Sequence, residues 1–347
     1  EGREAPKWGA RRAILNDLSP AATFIAANYA LPFDVGEFAA ALRRLLAEVD
    51  DEIGWMYETR HTDGQVGRIE YTVWSQVFSC PHCGRDINFT EEALDEETKR
   101  VSDEFPCPKC TARLTKESME KVFDVQPDPA TGRPWKHVRF LPARIAYTIG
   151  GNRYEKEPDT LDVERLEQIR RLPLPAEIPT DAFPVDQMYH GSRIAPKGFT
   201  HVHHFFLPRA AQALGLLWRK ALAHADPRIR HMLLFTVEQA IWGMSLMNRY
   251  SPSHFSQVNR NLSGVYYVPS QVSEVAPRYI LVGKIDRLIS AFEPIAISMD
   301  KVLAATDSCA ALGVPSNTID YIFTDPPFGE NIFYADLNIL VESFHGV

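Results

Sequence analysis

The chain has 347 residues, 45% of them apolar and 24% charged, with a formal charge of −8 and five cysteines. That length allows two or three domains around a substantial core. No apolar run approaches the ~20 residues that cross a bilayer, so no membrane partner is expected. The negative balance also disfavours indiscriminate binding to nucleic acid, although a local basic surface remains compatible with it.

No signal peptide is visible at the start. Position 1 is Glu rather than Met, and the last residues lie inside an apolar helical pattern from Leu337 to Phe344, so the sequence reads as an internal piece of a longer protein. In chain order, residues 1–12 are polar and loop-like. Ala13-Ile14-Leu15-Asn16-Asp17-Leu18 then reads as a short buried strand. Ser19 is a favoured N-cap and Pro20 a favoured first helical residue, so a helix is predicted through Tyr29. Asp17 therefore stands at a strand's carboxyl end just before a helix. In dinucleotide-type folds an acid there binds ribose hydroxyls about 20 residues after a Gly-rich loop. Only 16 residues precede Asp17, with no such loop among them, so taken alone it reads as a capping or turn residue.

Apolar residues at Phe38, Leu42, Leu45, Leu46 and Val49 predict a helix from Phe33 to Asp51. Strands are predicted over 55–60 and 68–78, the second alternating as a half-buried strand does. It leads into Cys80-Pro81-His82-Cys83, followed after 23 residues by Cys107-Pro108-Lys109-Cys110. Two Cys-x-x-Cys knuckles at this separation suit a tetrahedral four-cysteine zinc site of the ribbon type. Four thiolates fill the tetrahedron, so the ion is expected to be structural Zn2+, and His82 is not expected to ligate. Cysteine use of this kind belongs to a reducing compartment, here the cytoplasm. The acidic stretch between the knuckles reads as a solvated helix or loop.

Arg133, Lys136, Arg139 and Arg144 form a basic cluster interleaved with Trp135, Phe140 and Tyr147. This is either a phosphate- and base-contacting surface or a solvated strand face. A short charged helix over 161–172 and a Pro-rich linker over 173–200 follow. His201-Val202-His203-His204 places His201 and His203 on one face of a predicted strand. No acid lies close by in the sequence, so packing or polar contacts are expected rather than a metal. Two amphipathic helices are predicted from Pro208 to Arg249 with a break near Asp226-Pro227. A strand is expected at Gly264–Pro269 and a helix at Tyr279–Phe292.

Lys301 to Ser308 gives a further strand that ends in an acid, Asp307, and Cys309 beside it reads as a structural thiol. Ile319-Asp320-Tyr321-Ile322-Phe323-Thr324 reads as a buried strand running directly into Asp325-Pro326-Pro327-Phe328. Ligands of open α/β sheets bind at such strand ends. The prolines fix φ and remove two donors. Taken alone this reads either as a strand ending in a proline turn or as a carboxylate and free carbonyls beside a flat aromatic, a rigid receptacle for a planar molecule bearing an NH2 group.

Taken together these strand ends resemble the amino-group DNA methyltransferases that use S-adenosylmethionine. Asp325-Pro326-Pro327-Phe328 is similar to the family's catalytic (Asp/Asn/Ser)-Pro-Pro-(Tyr/Phe/Trp) motif. Thr306-Asp307-Ser308 with Asn317 to Tyr321 resembles the segment that meets the cofactor's adenine, and Asn16-Asp17-Leu18-Ser19-Pro20 the acidic strand end that holds its ribose. The resemblance covers roughly residues 10–30 and 300–345. It implies an α/β fold, with an incomplete Rossmann-like methyltransferase sheet split by an inserted zinc ribbon and a helical target-recognition region. The expected division is 1–55 and 293–347 for the methyltransferase parts, 56–125 for the ribbon and 126–292 for target recognition. It further implies Asp17, Leu18, Asp307 and Ser308 at the cofactor, Asp325 to Phe328 at the reacting base, and double-stranded DNA as partner. Asp in the first motif position leans towards adenine N6. Cytosine N4, an RNA amino group, and a non-catalytic zinc-ribbon binding protein are the other readings.

Overall fold

The computed structural model describes residues 9, 11–95, 97–294, 301–326 and 333–347. It is a mixed α/β molecule with a central antiparallel sheet, a small lobe around a four-cysteine cluster that could bind zinc, and a separate parallel strand pair. Among the described residues no helix is long and apolar enough to cross a membrane.

The N-terminal elements form where the sequence signals place them, but the first strand, expected to be buried, has Ala13, Ile14 and Asp17 exposed and Leu15 and Asn16 only half-buried. β1 (Ala13–Asp17) leads into α1 (Pro20–Ala30), whose N-cap Ser19 accepts the Ala22 N–H at 3.2 Å, with Pro20 in the first turn. α2 (Val35–Ile53) is capped by Asp34 and buries Phe38, Leu42, Leu45, Leu46 and Val49 on one face. A 3-10 turn at Gly54–Tyr57 gives way to β2 (Glu58–Arg60) and then to the long strand β3 (Val66–Ser79).

After β3 come the ribbon elements: β4 (Asp86–Asn88), the single turn α3 (Phe89–Ala93), β5 (Leu94–Asp95), β6 (Arg100–Val101), β7 (Glu104–Pro106), β8 (Arg113–Thr115) and β9 (Glu120–Lys121). A hairpin of β10 (Phe123–Pro127) and β11 (Pro134–Val138) follows, then β12 (Phe140–Ile149) and β13 (Asn152–Lys156). The helical half contains α4 (Thr160–Arg170), the short α5 (Gly191–Ile194), α6 (Pro208–Leu222), α7 (Pro227–Met244), β14 (Gln271–Val275) and α8 (Pro277–Phe292). β15 (Val302–Thr306) and α9 (Tyr334–His345) complete it. Proline opens α6, α7 and α8 alike, which costs nothing where the N–H has no helical partner.

β3 joins the two lobes. It pairs antiparallel with β2, β12 and β14 in the main sheet, and its last three residues pair with β4 and β9 of the ribbon. Most of the strand that leads into the ribbon thus belongs to the main sheet. The ribbon has its own small core, built on Phe78, Ile87, Phe89, Phe105, Leu114 and Met119 around the cysteines. At Gly67 an added Cβ would lie 2.3 Å from the Tyr147 ring, so only glycine lets β12 close on β3 there. From Tyr71 to Phe78 every residue of β3 is buried. Both faces are covered, and the half-buried alternation expected of this strand stops at that point.

The sequence missed β14 for a physical reason. Gln271, Ser273 and Glu274 read as surface residues, yet all five residues of the strand are buried. Glu274 accepts from Trp74 Nε1 at 2.7 Å and is paired with Arg209 of α6, Nη2 to Oε2 2.6 Å and Nε to Oε1 3.1 Å. Arg209 Nη2 also donates to Thr72 Oγ1 at 2.7 Å. Their side chains are 3% and 1% exposed. The pair is a bidentate, fully satisfied bridge between helix and sheet, in which removal of either partner strands a buried charge. The strand expected at Gly264–Pro269 does not form. Gly264 adopts φ +74°, Pro269 has no N–H to give a ladder, and Tyr266 and Val268 pack in the core from a loop. The predicted strand at His201–His204 is instead a 3-10 turn, Val202–Phe205.

Candidate functional site

β1 and β15 are parallel neighbours, with Asp17 opposite Thr306. Their carboxyl ends coincide: the Asp307 N–H donates to Asp17 O at 3.1 Å, and Asn16 Nδ2 donates to Asp307 O at 2.8 Å. Two acids 290 residues apart in the chain (307 minus 17) therefore stand side by side. Each uses one carboxylate oxygen locally: Asp17 Oδ1 accepts from the Ser19 N–H at 2.9 Å, and Asp307 Oδ1 from the Ser308 N–H at 2.7 Å. Both acids are exposed, as is Leu18, while Ser308 is half-buried. α1 starts immediately beyond this edge. Thr23 on its first turn shares a 2.5 Å hydrogen bond with Thr306.

The structure brings α9, whose helical pattern the sequence shows from Leu337 to Phe344, to this corner, a placement the sequence did not foretell. Ser19 Oγ donates to Glu342 Oε1 at 2.6 Å and accepts from Asn338 Nδ2 at 2.9 Å. A carboxylate at a helix N-terminus is favoured by the unpaired amides and the helix dipole. Leu340 and Phe344 anchor α9 in the main core, Phe344 against Trp218 at 5.3 Å. Just ahead of α9, Phe333 stacks on Tyr189, with centroids 4.4 Å apart and planes at 13°. The Tyr189 N–H donates to Asp336 at 3.0 Å.

One expectation about this site fails. Ile319–Thr324 is not a strand but irregular chain, with Tyr321 80%, Ile322 74% and Phe323 81% exposed. A short apolar run becomes a strand only against a neighbour's ladder, and among the described residues β15 is bonded to β1 alone. Asp325 and Pro326 follow as exposed irregular chain. Pro327 and Phe328 lie outside the described residues. The structure thus brings Asp17, Leu18, Asp307 and Ser308 together, and among the described residues no strand pairing or hydrogen bond joins Asp325 to them.

The four predicted thiols converge. Cys80 and Cys110 sulfurs lie 3.8 Å apart, Cys83 and Cys107 3.7 Å, and all four within 4.8 Å of one another. None is in a disulfide. Zn–S bonds of about 2.3 Å at tetrahedral angles place sulfurs about 3.8 Å apart, so the cluster can hold a metal ion such as zinc. The knuckles are near copies. Cys80 O accepts the Gly84 N–H and Cys107 O the Thr111 N–H, both at 2.9 Å. Gly84 and Thr111 both take positive φ, +68° and +60°. Only the first knuckle gives that position the residue that adopts it without strain. The Cys110 backbone N–H aimed at the Cys107 sulfur draws that thiol down to about 6, while at Cys110 the lowering by the Ala112 N–H is outweighed by burial and the neighbouring thiols, which push it up to about 11.

Two of the four residues of the basic cluster, Arg139 and Arg144, are ion-paired. Arg139 bridges Asp86 and Asp124, both at 2.7 Å, and Arg144 lies 4.0 Å from Glu155. Arg133 and Lys136 remain exposed, Lys136 over the Phe123 ring at 4.8 Å. Its aromatic partners are occupied: Tyr147 is buried and hydrogen-bonded to His61 at 2.6 Å, and Trp135 stacks on His204 at 4.2 Å. Base stacking by these rings is not available in this arrangement.

A second ligand-type cluster escaped the sequence. Asp128, the first residue of the β10–β11 turn, meets His204 Nε2 at 2.7 Å and His203 Nε2 at 3.1 Å through one carboxylate oxygen. Its other oxygen accepts the Ala130 and Thr131 N–H groups at 2.9 and 2.8 Å. Burial pushes the Asp128 carboxyl up, but the hydrogen bonds from His204, Thr131, His203 and Ala130 outweigh it and hold it well below the usual carboxylate range. Burial likewise pushes both imidazoles down, His204 to about 4. The acid that completes the His-x-His-His run lies 75 residues before His203, so no local signal could have found it.

No protein-family model, no curated protein and no solved structure matches the chain.

Proposed function

We propose that the chain is part of an S-adenosylmethionine-dependent DNA methyltransferase that modifies the exocyclic N6 of adenine. The observation that carries this reading is the β1–β15 edge. Two acidic strand ends, Asp17 and Asp307, are adjacent at the carboxyl end of a parallel pair, where α/β sheets take their ligands. Each keeps a second carboxylate oxygen beyond its local bond, which fits a ligand with vicinal hydroxyls and an amino group. Asp17 with Leu18 would hold the ribose of the cofactor, and Asp307 with Ser308 its adenine. S-adenosylmethionine would supply an activated methyl group on a sulfonium.

The target amine is a poor nucleophile because its lone pair is delocalised into the ring. Asp325 would accept one of its N–H bonds and the Pro326 carbonyl the other, favouring a pyramidal nitrogen. That stabilisation is realised mainly in the transition state. Phe328 would stack on the base. A base inside a duplex cannot reach such a pocket, so flipping at a cost of a few kcal/mol is part of the reading. The four-cysteine cluster, filled by zinc, has no open coordination position and would serve the fold of the ribbon.

The test is nucleoside mass spectrometry of DNA exposed to the complete protein. N6-methyladenine should appear, and Asp325→Ala should abolish it while cofactor binding persists. Undiminished methylation by Asp325→Ala would overturn the assignment. N4-methylcytosine, or modification of RNA in a parallel reaction, would redirect it. A complete protein that fails to bind the cofactor would favour a non-catalytic nucleic-acid-binding role.

A further inference from the structure

Asp128, His203 and His204 are 5%, 3% and 2% exposed. Their ligand-type atoms face one another, and the three groups lie within 4.8 Å. Among the described residues no lysine or arginine is ion-paired with Asp128; its partners are the two imidazoles and two backbone N–H groups. Among these residues the buried carboxylate is held by hydrogen bonds and not by a cation. His203 Nδ1 is buried and has no hydrogen-bond partner, so that imidazole is held on its polar side by its Nε2 end alone.

We propose that Asp128, His203 and His204 form a second metal site, distinct from the four-cysteine cluster, that takes a divalent ion of the zinc class. Imidazole and carboxylate are the ligand types such ions accept. Ligand atoms about 2.1 Å from a tetrahedral ion lie about 3.4 Å apart, so the observed 2.7 and 3.1 Å contacts open by about 0.7 and 0.3 Å on loading. The supports are in place. The backbone bonds to Oδ1 orient the carboxylate, and Trp135 stacks on His204 at 11° while its indole N–H is tied to Gly198 O at 2.7 Å. Such outer partners fix the orientation of metal ligands. His201, with its ring 5.0 and 5.5 Å from those of His204 and His203, stands beside the three-residue group but outside it, and would have to move to become a fourth ligand. Its Nδ1 is engaged by Thr200 Oγ1 at 3.0 Å, which leaves Nε2.

In the metal-free arrangement the Thr200 N–H points at His204 Nδ1 at 3.2 Å, so Nε2 carries the proton given to Asp128. Ligation through Nε2 would put the proton of each neutral imidazole on Nδ1, for His204 beside Thr200 Oγ1 at 3.5 Å and for His203 on its buried, unpartnered Nδ1. The ion would fasten the β10–β11 turn to the 3-10 turn ahead of α6. None of this depends on the methyltransferase reading.

Metal analysis of the complete protein, loaded with zinc and dialysed, should give two equivalents. His203→Gln and Asp128→Asn should each give one. Cobalt substitution separates the sites, because only the four-cysteine cluster yields intense sulfur-to-cobalt charge-transfer absorption. That absorption should be unchanged in both variants, while the weaker visible bands of the nitrogen–oxygen site disappear. One equivalent in the wild-type protein with full thiolate absorption overturns the proposal. Two equivalents retained by both variants overturn it as well.

Discussion

The ribbon and the β1–β15 edge hold the two clearest motifs of the chain, and they are built in opposite ways. The four cysteines fall within 31 consecutive residues, 80–110, and the ribbon supplies its own core around them. The acids of the β1–β15 edge come from opposite ends of the chain, on two strands whose outward residues, Ile14 at 39% and Leu303 at 57%, remain open to solvent. A ligand set within one short segment is brought together by local turns. A site on a sheet edge exists only where distant strands pair, and Ile319–Thr324, which lacks a partner, shows the consequence.

The largest test of this contrast is metal removal. The binding energy of a structural zinc, about 10–16 kcal/mol in small zinc modules, is folding energy for the segment that binds it. Chelation should therefore raise hydrogen exchange across Phe78–Lys121 while β12 and α6 keep their protection. Loss of protection in both lobes would show that the ribbon is not an independent unit. Next in size is the buried bridge of the main lobe. Glu274→Ala leaves Arg209 without its carboxylate and should cost about 3–5 kcal/mol, read as a lower urea midpoint with the cobalt–thiolate absorption intact. A cost below about 1 kcal/mol would contradict the role given to the pair.

The β1–β15 edge is probed by Ser19→Ala. It removes the α1 cap together with the bonds to Glu342 and Asn338, and about 1 kcal/mol is expected, with faster exchange confined to α1 and α9. Equal loosening across the main sheet would break the distinction drawn here. The smallest effect concerns Lys284 of α8, whose Nζ donates to Gln239 at 2.8 Å. Burial, with Arg287 adding to it, pushes this lysine down from its ordinary 10.5 to about 8. Between those values the unfolded chain binds more protons, so native stability should rise as pH rises from about 8 to 10.5. At this partly exposed site the gain is about 1 kcal/mol or less. Lys284→Met should flatten that part of the profile, and an unchanged slope in urea midpoints would refute the cause.

Local chemistry was readable wherever a residue's role is set by near neighbours. Ser19-Pro20, the apolar face of α2, the proline-led helices and both cysteine knuckles are determined by spacing and by backbone preference. Tertiary structure alone decided the rest. Polar β14 became a buried strand because Arg209 arrives from α6 to satisfy Glu274, and Asp128 reached His203 and His204 because the β10–β11 turn folds over them. Asp17 met Asp307 through a parallel ladder that no local signal specifies, while Ile319–Thr324, apolar enough for a strand, stayed irregular without a ladder to join. Hydrogen-bond partners and counter-charges brought from far along the chain have no sequence period, so their effects appear only once the chain is folded.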